Sequence, residues 1–301
     1  MIQPQTDQSL AKYRAFVTTA QTGSFTKTAA QMGYTQSGIS RMVAALESEL
    51  GVRLFERQHG LVKLTPEGAS LLPSANDLCR DASALQERAQ ALQGVVVGTI
   101  RIGTFTSVAT YWLPQVIAGF RADHPGIQYQ LQLGDYTEIE QWVSDGTVDC
   151  GFVRLPTKRG LCTSALAKDQ FMAVVPENHE LADAPSFPLS RFAREPFIEL
   201  ASATDSEVAF MFAQQGLELH PVFSTWDDYA IMAMVEAGLG LAILPSLVLS
   251  RSPFHIKALP LDPPAHRSIG IATRAGATSP ATSRFLEYLD LRDKPLGPPA
   301  S

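Results

Sequence analysis

The apolar positions of this chain change rhythm twice. Leu10, Tyr13, Phe16, Val17 and Ala20 recur at helical spacing, and Gly23 follows as a stop. Ser24 is placed to cap a short second helix through Phe25, Ala29, Ala30 and Met32, which Gly33 ends in a left-handed turn. A third helix is predicted over about residues 35–50, with Ile39, Val43, Leu46 and Leu50 as its apolar stripe and Gly51 as its stop. After Thr65 and Pro66 the spacing becomes a heptad seam. Leu71, Ala75, Leu78, Ala82, Leu85, Ala89 and Leu92 follow one another by alternating steps of four and three. From residue 97 strand-like and helical runs alternate. The strands fall at 98–103, 127–133, 148–153, 171–175, 197–200, 220–225, 240–244 and 268–273. The helices fall at 108–122, 137–145, 205–215, 227–237 and 280–292. That alternation predicts mostly parallel sheets covered by helices on both faces, in two subdomains, with a ligand site beyond the strand ends or between the halves.

Composition narrows the class. Of 301 residues 45% are hydrophobic and 18% charged, which suits globular domains and excludes a disordered chain. Cys79, Cys150 and Cys162 form neither a disulfide framework nor a metal-binding pair, and Cys150 reads as an inert core thiol. No signal peptide and no run of about 18 apolar residues is seen, so a cytoplasmic protein without a membrane partner is expected. The six histidines are scattered, with no HxxxH or HExxH pattern. GxSxG, GxxxxGK[ST] and GxGxxG are absent too, so no catalytic centre, metal or cofactor is expected.

The net charge of −6 speaks against coating a polyanion, until it is divided. Residues 1–66 hold seven basic and four acidic side chains, a net +3, and the rest of the chain carries −9. Within that basic unit, the third helix presents Gln36, Ser37, Ser40 and Arg41 opposite its apolar stripe. Amide, hydroxyl and guanidinium groups near a helix N-terminus suit entry into a DNA major groove, where Gln pairs with adenine and Arg with guanine. An ordinary solvated face has the same composition. The heptad seam likewise fits either pairing of two chains or packing on the helix's own domain. Thr106 and Ser107 follow the first strand of the α/β body, and Tyr136 and Thr137 follow the second. Each pair can meet a ligand or cap the next helix, with Asp135 a competing cap. Trp226 can stack on a ligand ring or pack between domains, and Arg154, ending the third strand, can pair an anionic ligand or make a structural ion pair, the second being favoured.

These residues carry a resemblance. The runs Gly23-Ser24-Phe25-Thr26-Lys27-Thr28-Ala29-Ala30, Gln36-Ser37-Gly38-Ile39-Ser40-Arg41 and Leu46-Glu47-Ser48-Glu49-Leu50-Gly51-Val52-Arg53-Leu54-Phe55-Glu56-Arg57, closed by Leu64-Thr65-Pro66-Glu67-Gly68, resemble the winged helix-turn-helix of LysR-type transcriptional regulators. Farther on, Trp112-Leu113-Pro114, Gly146-Thr147-Val148-Asp149 and Val235-Glu236-Ala237-Gly238-Leu239-Gly240 are similar to the regulatory part of that family.

The resemblance implies an all-α winged head at 1–66, a linker helix at 67–94 that pairs two subunits, and an α/β effector domain similar to periplasmic binding proteins. Its first subdomain would comprise 95–168 and 267–301, and its second 169–266. The implied activity is sequence-specific binding of double-stranded DNA by a homodimer or homotetramer, modulated by an unidentified small-molecule effector held between the subdomains. Gln36, Ser37, Ser40 and Arg41 would read bases, with Arg57, His59 and Lys63 on the wing. The tip reads Gln58-His59-Gly60-Leu61, where family members often carry a basic residue. Effector contacts would come from Thr106, Ser107, Tyr136, Thr137, Ser202, Thr204 and Trp226. The rival readings are a small-molecule carrier without DNA binding, and an enzyme with an N-terminal dimerisation domain.

Overall fold

The computed structural model describes residues 5–58, 61–92, 97–201, 207–276 and 278–290, without the side chains of 5–9, 57, 58, 61, 91 and 290. The head consists of α1 (Gln5–Thr22), α2 (Phe25–Met32) and α3 (Gln36–Leu50), followed by a hairpin of β1 (Phe55–Gln58) and β2 (Leu61–Leu64). Ser24 caps α2 by accepting from the Lys27 amide at 3.4 Å, and Gly33 ends it with φ 73°. Phe16, Ile39, Val43, Leu46 and Leu54 are buried together, and Phe55 meets Phe16 and Phe25 edge-on at 5.5 and 5.9 Å. Each such side chain contributes about 1.5–3 kcal/mol of burial free energy. Leu50 departs from the expected stripe. It lies beside the Gly51 stop and is exposed, because the helix outruns the core it packs on.

The linker helix α4 (Pro66–Ala91) starts against this core and continues through Pro73. Thr65 caps it, accepting from the Gly68 amide at 2.9 Å. Gly68 allows the close start: a Cβ there would lie 2.2 Å from the Leu54 carbonyl oxygen. Farther along, the Asn76 amide donates to the Asp145 carbonyl at 2.9 Å, and Asp77 pairs with both Arg80 and Arg274. Those contacts dock the helix on the α/β body.

The body begins with β3 (Gly98–Thr104), α5 (Thr106–Tyr111), α6 (Leu113–Asp123), β4 (Ile127–Leu133), α7 (Tyr136–Asp145) and β5 (Cys150–Leu155). The long strand β6 (Cys162–Pro176) follows, then β7 (Phe187–Pro188), a 3-10 turn (Leu189–Arg194), β8 (Phe197–Leu200), α8 (Glu207–Gln214), β9 (Pro221–Thr225) and α9 (Asp228–Glu236). The chain closes with β10 (Ala242–Pro245), α10 (Ser246–Leu249), β11 (Ile256–Asp262), β12 (His266–Thr273) and α11 (Pro280–Asp290).

The main sheet runs β4-β3-β5-β12-β6-β11-β7, with β10 also on β6. It is mixed rather than mostly parallel. β3 is parallel to β4 and β5, but β12 runs antiparallel to β5 and β6, and β10 and β11 run antiparallel to β6. The reason lies in the chain path. It leaves the first half along β6 and returns along β12, so the two crossing strands run in opposite directions side by side. Residues 162–170 of β6 pair with β12 in the first half, and residues 171–176 lie between β10 and β11 in the second. Separate apolar cores fill the two halves.

Three further expectations change. The helix over 108–122 is two helices meeting at Trp112, because Pro114 lacks an amide hydrogen and its ring clashes with the preceding turn. The strand expected at 171–175 begins nine residues earlier, at Cys162. The strand β11 was not expected at all: Lys257 and Pro260 interrupt its apolar alternation.

Candidate functional site

Two places in this fold display chemistry. The first is the outer face of α3. Gln36, Ser37 and Arg41 are exposed and Ser40 is half-buried, while Ile39, Val43 and Leu46 hold the opposite face in the core. Thr35 caps the helix through the Gly38 amide at 3.1 Å, so the first turn is fixed. The Arg41 Nε donates to the Ser37 carbonyl at 3.4 Å and leaves its remaining N–H groups outward. Lys63 is exposed on β2. Arg57 lies on β1, but its side chain is outside the described residues, and so are His59 and Gly60.

The second place is a cleft of about 620 Å³ between the two halves of the body. Phe105, Leu133, Phe171, Leu200, Val208 and Trp226 supply its apolar lining. Thr106, Ser107 and Tyr136, which follow β3 and β4, are among its lining residues. Thr137 is not among the lining residues. Ser202 and Thr204 lie outside the described residues. Trp226 stands 65% exposed at the cleft, so it is not a buried domain-packing aromatic.

Neither Thr106 nor Ser107 caps α5; Phe105 occupies the cap position and makes no side-chain bond. Ser107 has another partner. Its Oγ accepts from Arg267 Nη2 at 2.9 Å, and Arg267 Nη1 donates to the Tyr136 hydroxyl at 2.8 Å. Asp135 is the cap of α7, in a reciprocal box with Glu138.

Arg267 is the centre of this network. It is 6% exposed, lies across from Asp169 on the paired crossover strands, and donates to Asp169 Oδ2 through Nε at 2.9 Å and Nη2 at 2.7 Å. Asp169 also accepts from Ser246 Oγ at 2.8 Å and the Leu247 amide at 3.1 Å, at the start of α10. One ion pair therefore ties α5 and α7 of the first half to α10 of the second, at the point where the chain crosses. Burial opposes the charge on Arg267, but Tyr136 and Asp169 outweigh it, and its pKa stays above the ordinary arginine value. Burial pushes the Tyr136 phenol up as well.

Two more carboxyls face the cleft. Glu207 is raised by burial, against the pull of Arg267 and Arg154, and pairs with Arg154 at 3.6 Å. Arg154 thus makes the ion pair its sequence position suggested. Asp228, the first residue of α9, is 9% exposed, and its Oδ1 is buried without a hydrogen-bond partner. Burial raises its pKa to about 6.

The sequence reading missed Arg267, Asp169, Asp228 and Glu207. For Arg267 a signal existed: a lone arginine in the apolar run Arg267-Ser268-Ile269-Gly270-Ile271 must find a buried partner. For Asp228 the signal was the doublet Asp227-Asp228. Asp227 alone caps α9, accepting from the Tyr229 and Ala230 amides, which leaves the second acid without a structural task.

A three-helix winged head, joined by a long helix to a two-part α/β body with a cleft, defines a ligand-responsive transcriptional regulator. Comparison with known families agrees. Residues 10–69 match the bacterial regulatory helix-turn-helix protein, lysR family, and residues 93–292 match the LysR substrate binding domain. The chain belongs to the LysR family, whose members are DNA-binding transcriptional regulators with an effector-binding domain, not enzymes. Among its relatives, the uncharacterized HTH-type transcriptional regulator YvbU of Bacillus subtilis is 31% identical over 268 residues, 88% of this chain and 91% of the relative. The probable HTH-type transcriptional regulator LrrA of Synechococcus elongatus is 30% identical over 93% of this chain and 96% of its own. A single-residue variant of full-length OxyR from Pseudomonas aeruginosa shares the fold, with a TM-score of 0.75 at 24% identity over 93% of each chain.

Proposed function

We propose that this regulator reads a DNA major groove with Gln36, Ser37, Ser40 and Arg41 of α3, and steadies the head on the adjoining backbone with Arg57, His59 and Lys63 of the wing. The observation that carries this reading is the exposure of Gln36, Ser37 and Arg41 on the first two turns of a helix whose other face is fully buried. Such a helix projects its donors as a rigid set. The division of labour follows the expected boundaries: head at 1–66, linker at 67–94, first regulatory subdomain at 95–168 and 267–301, and second at 169–266. The protein acts in the cytoplasm. Its effector occupies the cleft lined by Thr106, Ser107, Tyr136 and Trp226 and shifts the balance between two arrangements of the halves.

The assembly is a homodimer through α4. The seam supports this. Leu71 and Ala75 pack on the head, whereas Leu78, Leu85 and Leu92 are 44%, 69% and 91% exposed along one edge, beside exposed Ala89 and half-buried Ala82. Leucines at seven-residue intervals remain apolar in water only at a cost, which a second copy of the helix removes. A second apolar surface, with Phe210, Val222 and Phe223 exposed on α8 and the edge strand β9, supports assembly of dimers into a homotetramer.

Gel shift and footprinting with the DNA upstream of the protein's own gene test the reading. Protection of a dyad-symmetric site is expected; no binding in any condition, with or without cell extract, would sink it. Leu85→Glu should shift the protein toward monomer in sedimentation and weaken DNA binding, and an unchanged oligomer would remove α4 as the interface.

A further inference from the structure

The cleft's polar lining is unbalanced in a way that bears on what enters it. Arg267 is the one cation among the described lining residues, and its charge is already committed. Of its five N–H donors, two go to Asp169, one to Ser107 and one to Tyr136, leaving a single Nη1 hydrogen. Asp169 answers that charge directly. Four carboxylates line the same cleft: Asp135, Glu138, Glu207 and Asp228. Asp135 and Glu138 are engaged in the cap of α7, and Glu207 has Arg154. An anionic ligand would enter a net negative site whose one guanidinium is taken.

Asp228 is different from the other three. It is nine-tenths buried, lines the cleft, and makes no ion pair and no side-chain hydrogen bond among the described residues. Its Oδ1, buried without a hydrogen-bond partner, forfeits solvation without a bond to replace it. Such a group persists where a ligand supplies the missing donor. The torsion that turns a carboxylate is broad and roughly two-fold, so either oxygen can be presented to the cleft. The same cleft has apolar and aromatic walls. Trp226 offers an exposed indole, and Leu133 is 61% exposed. An indole face also attracts a cation through its quadrupole.

We propose that the effector is a small organic cation, an apolar and preferably aromatic body bearing an ammonium group that pairs with Asp228 while its body lies against Trp226 and Leu133. This rests on the reading of the cleft as the effector site. It deepens that reading by assigning charge and shape to the ligand. Burial raises the pKa of Asp228 to about 6, against the favourable pull of Arg267.

Calorimetric titration of the full-length protein at neutral pH tests the assignment. The probes are benzylamine, 2-phenylethylamine and 3-phenylpropylamine, each beside the alcohol and the carboxylate of matched length. At least one amine should bind about ten-fold or more tighter than its alcohol and carboxylate partners, as a charge-assisted bond requires. Asp228→Asn should lower that amine's affinity to the level of the alcohol and leave the alcohol's own affinity unchanged. A fall in amine affinity alone cannot come from misfolding, because the alcohol monitors an intact cleft. Trp226→Leu should weaken amine and alcohol alike. Tighter binding of a carboxylate, still weakened by Trp226→Leu, overturns the cationic assignment and leaves the cleft as a binding site. An amine that binds equally well to Asp228→Asn also overturns it. If no probe of any charge binds, and tryptophan emission is unchanged, both the assignment and the cleft as effector site fall.

Discussion

In the head, Gln36, Ser37 and Arg41 stand in water on a helix whose opposite face is held by Ile39, Val43 and Leu46. At the cleft, Arg267 and Asp228 are 6% and 9% exposed, and Asp169 behind Arg267 is 4% exposed. The head separates chemistry from stability: its displayed groups owe the fold little, and the fold owes them little. The cleft does not separate them, because a buried charge alters stability whatever else it does. Within the cleft there is a further contrast. The Arg267–Asp169 pair has nearly all its hydrogen-bonding capacity met, so it reads as the tie between the halves. Asp228 has a buried Oδ1 with no hydrogen-bond partner among the described residues, so it reads as a group waiting for a partner. Three substitutions test these differences.

The largest effect is expected at the tie. Arg267→Met leaves Asp169 buried without a cation, and removing one partner of a buried pair costs about 3–5 kcal/mol. The apparent melting temperature of the α/β body should fall steeply, while that of the head, followed separately, should not. Adding Asp169→Leu to the same chain should recover part of the loss, since no charge is then stranded. A cost below about 1 kcal/mol for Arg267→Met would show that the pair does not hold the halves together.

Asp228→Asn should act in the opposite direction. The folded-state pKa is about 6 against an ordinary 3.8, so the folded protein holds this proton more tightly than the unfolded chain does. Stability therefore falls as pH rises from about 4 to about 6, and above that window the full cost of the buried charge is present. That cost is about 3 kcal/mol, one pKa unit being worth about 1.4 kcal/mol. Asparagine removes it but also removes an acid from the first turn of α9, which offsets about 0.3–1 kcal/mol. The net expectation is a gain of about 2 kcal/mol at pH 7.5 that disappears toward pH 4, measured by thermal unfolding without added ligand. Unchanged or lower stability at pH 7.5 would mean that Asp228 is satisfied in solution.

The same contrast explains how much the sequence could disclose. The head was legible because its rules are local. Ser24, Gly33, Thr65 and the Ile39-Val43-Leu46 stripe each act within a few residues of themselves, and each does in the fold what its spacing suggests. The cleft was only half legible. Thr106, Ser107, Tyr136 and Trp226 follow strand ends, and strand ends are where such folds gather ligands. Arg267 meets Ser107 across 160 positions and Tyr136 across 131, and no local period encodes those distances. Ser107 shows the consequence. Its hydroxyl looked free for a ligand or a cap, and a distant arginine takes it. The mixed sheet was hidden for the same reason, since antiparallel pairing of β6 with β12 depends on a return path of about a hundred residues.

The smallest effect on stability, and the one that most sharply defines the head, is expected at Arg41. Its only protein hydrogen bond among the described residues runs to Ser37 within its own helix, at 3.4 Å. Arg41→Ala also improves helix propensity slightly, so the melting temperature of the head should move by no more than about 0.5 kcal/mol would produce. DNA binding should respond quite differently. If the guanidinium pairs with a base edge, affinity for the specific site falls about ten- to a hundred-fold, while affinity for unrelated DNA barely changes. If instead it contacts phosphate, both affinities fall together and the slope of log affinity against log salt drops by about one. Titrations of the variant on both DNAs at two salt concentrations distinguish these outcomes. Equal losses on both DNAs would move Arg41 from reading to anchoring and leave Gln36 and Ser37 as the base-reading groups of α3. A large fall in head stability would instead break the separation of chemistry from fold that sets the head apart from the cleft.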